Sequence, residues 1–361
     1  MERMKHEDFN ILLSEYNRQH DIPGTGLFEL TPLCNLNCKM CYVHLQDPTL
    51  KDRLLPGSTW IALMKDAIAH GMTRAILSGG EAMTHPDFME IYRFLIDEGV
   101  EVQVKTNGIL LDGPRLELFK KYPPIMVDVS LYGCNSESYL AVTGVDACER
   151  VVSNIRNALS EGLHVRLAVT PSAQMMPWIE DVMKLADSFN ISVTIADFLF
   201  PPNDNTGRSR ENFGLSIGDF ERIDRLRDEI FDPKDVKKDE YEPDESVERP
   251  PVGRGLRCAA GRSTFCINWD GTLSPCVSFP REIVLAEPMK TGFGPAWKIV
   301  NEAVKQYEHP QKCHDCAVSR WCVYCPVKHP KASPLHRCDD ATCEFLIAKF
   351  RRNMKKEGQT L

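Results

Sequence analysis

Between Gly26 and Phe198 the chain alternates short apolar runs with longer amphipathic stretches, six times over. The apolar runs at 27–30, 75–78, 100–106, 126–131, 165–170 and 192–198 predict strands. The stretches between them, 59–70, 86–98, 112–121, 147–161 and 177–188, carry apolar residues at helical spacing. In the first of these Trp60, Ile61, Met64, Ala67 and Ile68 recur with the helical period, Ser58 is a candidate cap and Gly71 a stop. Alternating strands and helices predict a parallel sheet, either open and doubly wound or a full or partial barrel. Residues 1–24 read as a short helix and the turn Ile22-Pro23-Gly24, too brief for a domain of their own. After Phe198 the pattern breaks. Residues 201–210 are rich in turn formers, 211–230 read as one helix after a loop at 214–218, and 232–251 are dense in Asp, Glu, Lys and Pro. Such a composition fits a surface linker, so a domain boundary is expected there.

The polar residues interrupting this pattern fall at strand ends. Thr31-Pro32-Leu33-Cys34-Asn35-Leu36-Asn37-Cys38-Lys39-Met40-Cys41-Tyr42 follows the first strand, Gly79-Gly80-Glu81 the second, Thr106-Asn107-Gly108 closes the third, and Ser130 lies near the end of the fourth. Carboxyl ends of parallel strands are where barrels and open sheets both place their sites, so these segments should line one mouth. Cys34, Cys38 and Cys41 also share one face of a hypothetical helix and could be small buried residues there. Pro32, Asn35 and Asn37 oppose a helix and favour a loop carrying three metal ligands. Four-iron clusters normally take four cysteines, so three in one loop would leave one iron open to another ligand.

Composition narrows the class. A chain of 361 residues suits about two domains, and its 43% hydrophobic and 26% charged content is that of a soluble globular protein. A net charge of -8 gives no broad footprint for nucleic acid, and the basic group Lys349, Arg351, Arg352, Lys355 and Lys356 reads as the solvated face of a last helix. The start, Met1-Glu2-Arg3-Met4-Lys5-His6, is too charged for a signal peptide, and no apolar run reaches about 18 residues, so a cytoplasmic protein away from membranes is expected. In that reducing compartment 14 cysteines suggest metal binding or catalysis rather than disulfides. Beyond the linker they return as Cys258, Cys266 and Cys276, then as the pairs Cys313/Cys316 and Cys322/Cys325, with Cys338 and Cys343 further on. Residues 268–276 predict a hairpin turning at Asp270-Gly271. Zinc and iron both accept such thiolate sets, and His314, His329 and His336 could join a zinc site.

Taken together, Cys34-x3-Cys38-x2-Cys41-Tyr42, Gly79-Gly80-Glu81 and the pattern Cys258-x12-Gly271-x4-Cys276 with the two later pairs resemble the radical S-adenosylmethionine (SAM) enzymes that carry a C-terminal SPASM domain. The resemblance implies a partial (β/α)6 parallel barrel at 25–210, a helix and charged linker at 211–257, and a cysteine-rich SPASM domain at 258–361, after an N-terminal extension at 1–24. It implies three [4Fe-4S] clusters. Cys34, Cys38 and Cys41 would hold the one that SAM completes; Cys258, Cys266, Cys276 and Cys325 a second; and Cys313, Cys316, Cys322 and Cys343 a third, with Cys338 the rival for that last place. Glu81 would accept from the SAM ammonium beside Gly79 and Gly80, while Tyr42, Asn107 and Ser130 would line the rest of SAM. Two features depart from the family pattern: only two residues separate Cys322 from Cys325, and Ala82-Met83 replaces the usual proline.

The implied chemistry is a 5'-deoxyadenosyl radical that abstracts hydrogen from a ribosomally made peptide, leading to a crosslink, a decarboxylated residue or an epimerised one. An electron donor such as a flavodoxin or ferredoxin is implied with it, and no catalytic acid or base is singled out. A formylglycine-forming sulfatase maturase is the rival within the family, but it is expected to carry Asp where this chain has Val277. A small-molecule radical dehydrogenase and a non-catalytic zinc protein complete the alternatives. No separate leader-binding module is expected before the first strand. Cys134 and Cys148 are left without a cluster; Lys105, Arg166, Asp128 and Asp197 either point into the barrel or lie at its surface.

Overall fold

The computed structural model describes residues 6–43, 48–196, 215–231, 254–279, 281, 283–309 and 314. After helix α1 (His6–His20), six strands run β1 (Thr25–Glu29), β2 (Arg74–Ser78), β3 (Glu101–Thr106), β4 (Met126–Ser130), β5 (Val165–Val169) and β6 (Val193–Ile195). All pair in parallel with their neighbours in the chain. Strand order therefore never reverses, which rules out the doubly wound alternative and leaves the one-way winding of a barrel. β6 lies at one edge of the sheet while β1 has another partner, so the barrel is partial.

The crossovers are α2 (Gly57–Ala69), α3 (Phe88–Asp97), α4 (Gly113–Lys121), α6 (Cys148–Ser160) and α7 (Ile179–Asp187). Each presents a stripe at helical spacing: Trp60, Leu63, Met64 and Ala67 on α2, for example, and Val151, Ile155 and Ala158 on α6 are all buried. They cover one face of the sheet, where Phe28, Val102, Val104, Val127, Val129, Leu167 and Val169 are also buried. Burying each such side chain stabilises the fold by about 1.5–3 kcal/mol. The opposite face takes the intervening residues, among them Gln103, Lys105, Asp128 and Arg166, and is polar.

Some details differ from expectation. Pro56, not Ser58, precedes the first turn of α2, and the Gly57 N–H is held by Asp87 Oδ2 at 2.7 Å. A short helix α5 (Ser136–Thr143), capped by Asn135, was not expected. The helix after the first break, α8 (Ile217–Ile230), starts within the expected loop, at the cap Ser216. The hairpin forms as β7 (Thr264–Ile267) and β8 (Leu273–Ser274), with Gly271 at φ +80° in its turn. It does not stand apart: β7 pairs in parallel with β1 and extends the barrel sheet. A short α9 (Pro288–Thr291) and a longer α10 (Phe293–Gln306) follow. α10 docks on the same core, its Trp297 Nε1–H donating to the Asp21 carbonyl at 2.8 Å and Asn301 bridging Asp21 and Gly261.

Candidate active site

The twelve residues after β1 contain no helix, as Pro32 and the asparagines predicted. The backbone instead runs against the loop after β2. The Gly80 N–H donates to the Thr31 carbonyl at 2.7 Å and the Glu81 N–H to the Leu33 carbonyl at 2.9 Å. Contact this close needs glycine. Gly79 sits at φ +138°, and a Cβ on Gly79 or Gly80 would fall 2.4 Å from the Thr31 oxygen or 2.3 Å from the Leu33 oxygen. The far half of the loop is tied to α5, through Asn37 N–H to the Thr143 carbonyl at 2.8 Å and Lys39 N–H to the Val142 carbonyl at 3.1 Å.

This frame gathers the three thiols. Burial pushes Cys34 up to about 12 although one side of it meets solvent, and the negative charges of Glu81 and Cys41 add to the shift. Burial also raises Cys38, with Cys41 and Cys34 contributing. Three thiolates packed this way repel one another, and a cationic metal cluster relieves the repulsion. Among the described residues no three Cys, His, Asp or Glu side chains converge on a single-ion position. A cluster in which each thiolate holds a different iron has no need of such convergence.

Glu81, 1% exposed, is the hub of the mouth. Its carboxylate accepts from the Asn107 N–H at 2.7 Å, the Met83 N–H at 3.1 Å and the Thr106 hydroxyl at 3.1 and 3.0 Å. Burial raises its pKa, and these hydrogen bonds oppose the rise. Asn107 continues the chain of contacts: its Nδ2 donates to Asn35 Oδ1 at 2.7 Å and approaches Cys34 Sγ at 3.7 Å. Ser130, at the end of β4, lies beside Tyr132, which in turn lies beside Cys38. The structure thus brings together the cysteine loop, Gly79-Gly80-Glu81, Asn107 and Ser130. Tyr42 is half-buried directly after Cys41. Thr106 and Tyr132 were missed. Tyr132 lies two residues beyond Ser130 and so continues the same strand face, a signal visible in the sequence.

The polar face of the barrel carries two further groups. Lys105, Asp128 and Arg166 are register partners on β3, β4 and β5. Asp128 accepts from Arg166 twice at 2.6 Å, from Lys105 at 3.1 Å and from Gln103 at 2.9 Å. The carboxylate that meets Lys105 and Arg166 inside the barrel is therefore the chain's own. Near β1, Glu29 and Cys266 are buried with Cys276, Asp270 and Arg281 close by. Burial, with Asp270 adding to it, pushes Glu29 up to about 8 despite Arg281. Cys258 is half-buried; Cys313, Cys316, Cys322, Cys325, Cys338, Cys343 and Asp197 lie outside the described residues. Cys134 and Cys148 sit at the starts of α5 and α6, where Cys134 contacts Ser138. No disulfide joins the eight described cysteines.

Residues 28–189, which contain the cysteine loop and every contact described for Glu81, match the model of the radical SAM superfamily. This segment is a radical SAM domain. Beyond it, the chain is 25% identical over 339 residues to the antilisterial bacteriocin subtilosin biosynthesis protein AlbA of Bacillus subtilis (strain 168), covering 89% of this chain and 71% of that one. It is 25% identical over 256 residues to a probable GTP 3',8-cyclase of Sulfurisphaera tokodaii, covering 69% of this chain and 79% of the relative. In structure it resembles Streptococcus suis SuiB bound to S-adenosylmethionine, with a TM-score of 0.71 at 16% identity over 94% of this chain and 84% of SuiB. The fold is thus the α/β parallel sheet of radical SAM proteins. The donor set fits the group such a domain carries: three thiols on one loop for a [4Fe-4S] cluster, and a fixed buried carboxylate, Glu81, beside them for an ammonium. In the family the cluster and SAM, when bound, supply the radical chemistry; these residues would hold and orient both.

Proposed function

We propose that this radical SAM enzyme modifies a ribosomally made peptide, installing a crosslink or another change at an unactivated carbon. The observation that carries the proposal is the joint course of the sequence match and the structural match beyond the radical SAM domain. The likeness to AlbA spans 89% of the chain, and another structure resembling this one is described as SuiB bound to precursor peptide SuiA. The β7–β8 hairpin, laid along β1, supports the same assignment, because it delivers Cys266 and Cys276 to the side of the mouth opposite Ser130.

On this proposal residues 258–361 form a SPASM domain. Cys258, Cys266, Cys276 and Cys325 hold one auxiliary [4Fe-4S] cluster, and Cys313, Cys316, Cys322 and Cys343 hold the other, giving three per chain. Tyr42, Gly79, Gly80, Glu81, Asn107 and Ser130 bind SAM, with Thr106 and Met83 fixing the Glu81 carboxylate. Within the barrel, Asp128 and its three donors stiffen the polar wall, and the chain's part is to orient the substrate and keep water from the reacting carbon. An electron donor such as a flavodoxin or ferredoxin, and a cytoplasmic setting without nucleic acid, belong to the same proposal. No helix among the described residues is long and apolar enough to cross a membrane.

A second assignment, a small-molecule substrate, is favoured by the resemblance to the probable GTP 3',8-cyclase over 69% of this chain. Anaerobic incubation with SAM, a reductant and peptides encoded beside the gene separates the two. A peptide mass change accompanied by 5'-deoxyadenosine supports peptide modification. Turnover of GTP or another small molecule, with every peptide unchanged, contradicts it.

A further inference from the structure

Two carboxyl groups are buried at the mouth, and they differ in their partners. Glu81 is surrounded by donors from the chain itself. Glu29, the last residue of β1, is only 4% exposed, and among the described residues none donates a hydrogen bond to its carboxyl. Arg281 lies near enough to favour its charge, but Arg281 Nη1 is engaged by Asp270 Oδ2 at 2.8 Å. A buried carboxyl left without a partner is costly, so such a group usually meets something that binds there.

Strand alternation shows where Glu29 points. Phe28 packs on the helix side, edge-on to Trp60 at 6.3 Å and to Phe265 at 5.9 Å, so Leu27 and Glu29 face the polar side of the barrel. In register, Glu29 lies opposite Ser78, the residue before Gly79, while Leu27 lies opposite Cys266. Glu29 therefore stands between the Gly79-Gly80-Glu81 loop and the hairpin bearing Cys266 and Cys276. We infer that the Glu29 carboxyl is a substrate contact, hydrogen-bonding an amide or hydroxyl group of the peptide segment that enters the mouth. The inference rests on the peptide assignment above and names the residue that orients the peptide at the β1 wall.

The test compares Glu29→Leu, which keeps the bulk and removes hydrogen bonding, with Glu29→Gln, which restores it. With a peptide that the wild type modifies, Glu29→Leu raises KM at least about ten-fold, the loss of one buried hydrogen bond, and raises the ratio of 5'-deoxyadenosine released to peptide modified. Glu29→Gln recovers most of both. Without peptide, the melting temperature of Glu29→Leu is equal to or above that of the wild type, because an unpartnered polar group has gone. An unchanged KM, or a melting temperature that falls in both variants as for a broken ion pair with Arg281, overturns the inference while leaving the peptide assignment standing. Failure of the wild type to modify any peptide contradicts that assignment, and this inference falls with it.

Discussion

The backbone N–H of Asn107 meets a carboxylate oxygen of Glu81 at 2.7 Å, joining the end of β3 to the loop after β2. Through Asn107 Nδ2 the same contact reaches Asn35 and Cys34, so the carboxylate and the first thiol are positioned by one residue. Glu81→Ala leaves the donors of Met83, Thr106 and Asn107 without their acceptor. The expected result is a loss of roughly 1–3 kcal/mol in stability together with loss of SAM binding, read by denaturant unfolding and by isothermal titration. Normal SAM affinity in the variant contradicts the assigned role.

Gly80→Ala tests the approach of the two loops. Its Cβ would fall 2.3 Å from a backbone oxygen that no side-chain movement can relieve. The cysteine loop must shift, and iron incorporation at that loop and SAM binding are expected to fall together. Full iron loading with unchanged SAM affinity would show that the loops tolerate the displacement.

Tyr132→Phe removes a hydroxyl placed to donate to a cluster-bound Cys38 while keeping the ring. Hydrogen bonds to cluster sulfur favour the reduced, more negative state, so the potential of the cluster held by Cys34, Cys38 and Cys41 is expected to drop. A redox titration followed by electron paramagnetic resonance reads the shift; an unchanged or higher potential counts against the bond.

Arg166→Met strands a carboxylate that is 3% exposed. Burial alone would raise Asp128, but the Arg166 hydrogen bonds and the charges of Lys105 and Arg166 outweigh it and hold the group below the ordinary range. In the wild type this stabilisation is present above the ordinary carboxylate pKa and is lost as pH falls through the lowered folded value. Without Arg166 burial dominates, and the variant loses stability as pH rises through a raised value. The deficit should reach about 3 kcal/mol at neutral pH, the lower end for a broken buried pair because Lys105 and Gln103 remain, and should close under acid conditions. Urea unfolding across a pH series measures it, and a pH-independent deficit contradicts this account.

The six strands were legible to within a few residues because each is a buried apolar run, and the strand-end motifs were legible because their chemistry is local. α5 was not, since only Tyr139 and Val142 give it an apolar face and its start is marked by the Asn135–Ser138 capping box alone. α10 carries a clear stripe in Phe293, Trp297, Val300 and Val304, but it opens in a Gly292, Gly294 and Pro295 cluster that reads as a loop. The pairing of β7 with β1 joins segments far apart in the chain, which no local pattern encodes. The same holds for Asp128 as the partner of Lys105 and Arg166, three charges whose meeting depends on register across three strands. Glu29 reads in the sequence as an ordinary strand residue, because its burial depends on the pairing of β1 with both β2 and β7.

The most direct test of the account is the iron content and SAM cleavage of anaerobically reconstituted protein, compared with a Cys34→Ala, Cys38→Ala, Cys41→Ala triple variant. The account predicts about twelve irons per wild-type chain, about eight in the variant, and 5'-deoxyadenosine only from the wild type. Equal iron in the two proteins, or zinc in place of iron at the lost site, would contradict it.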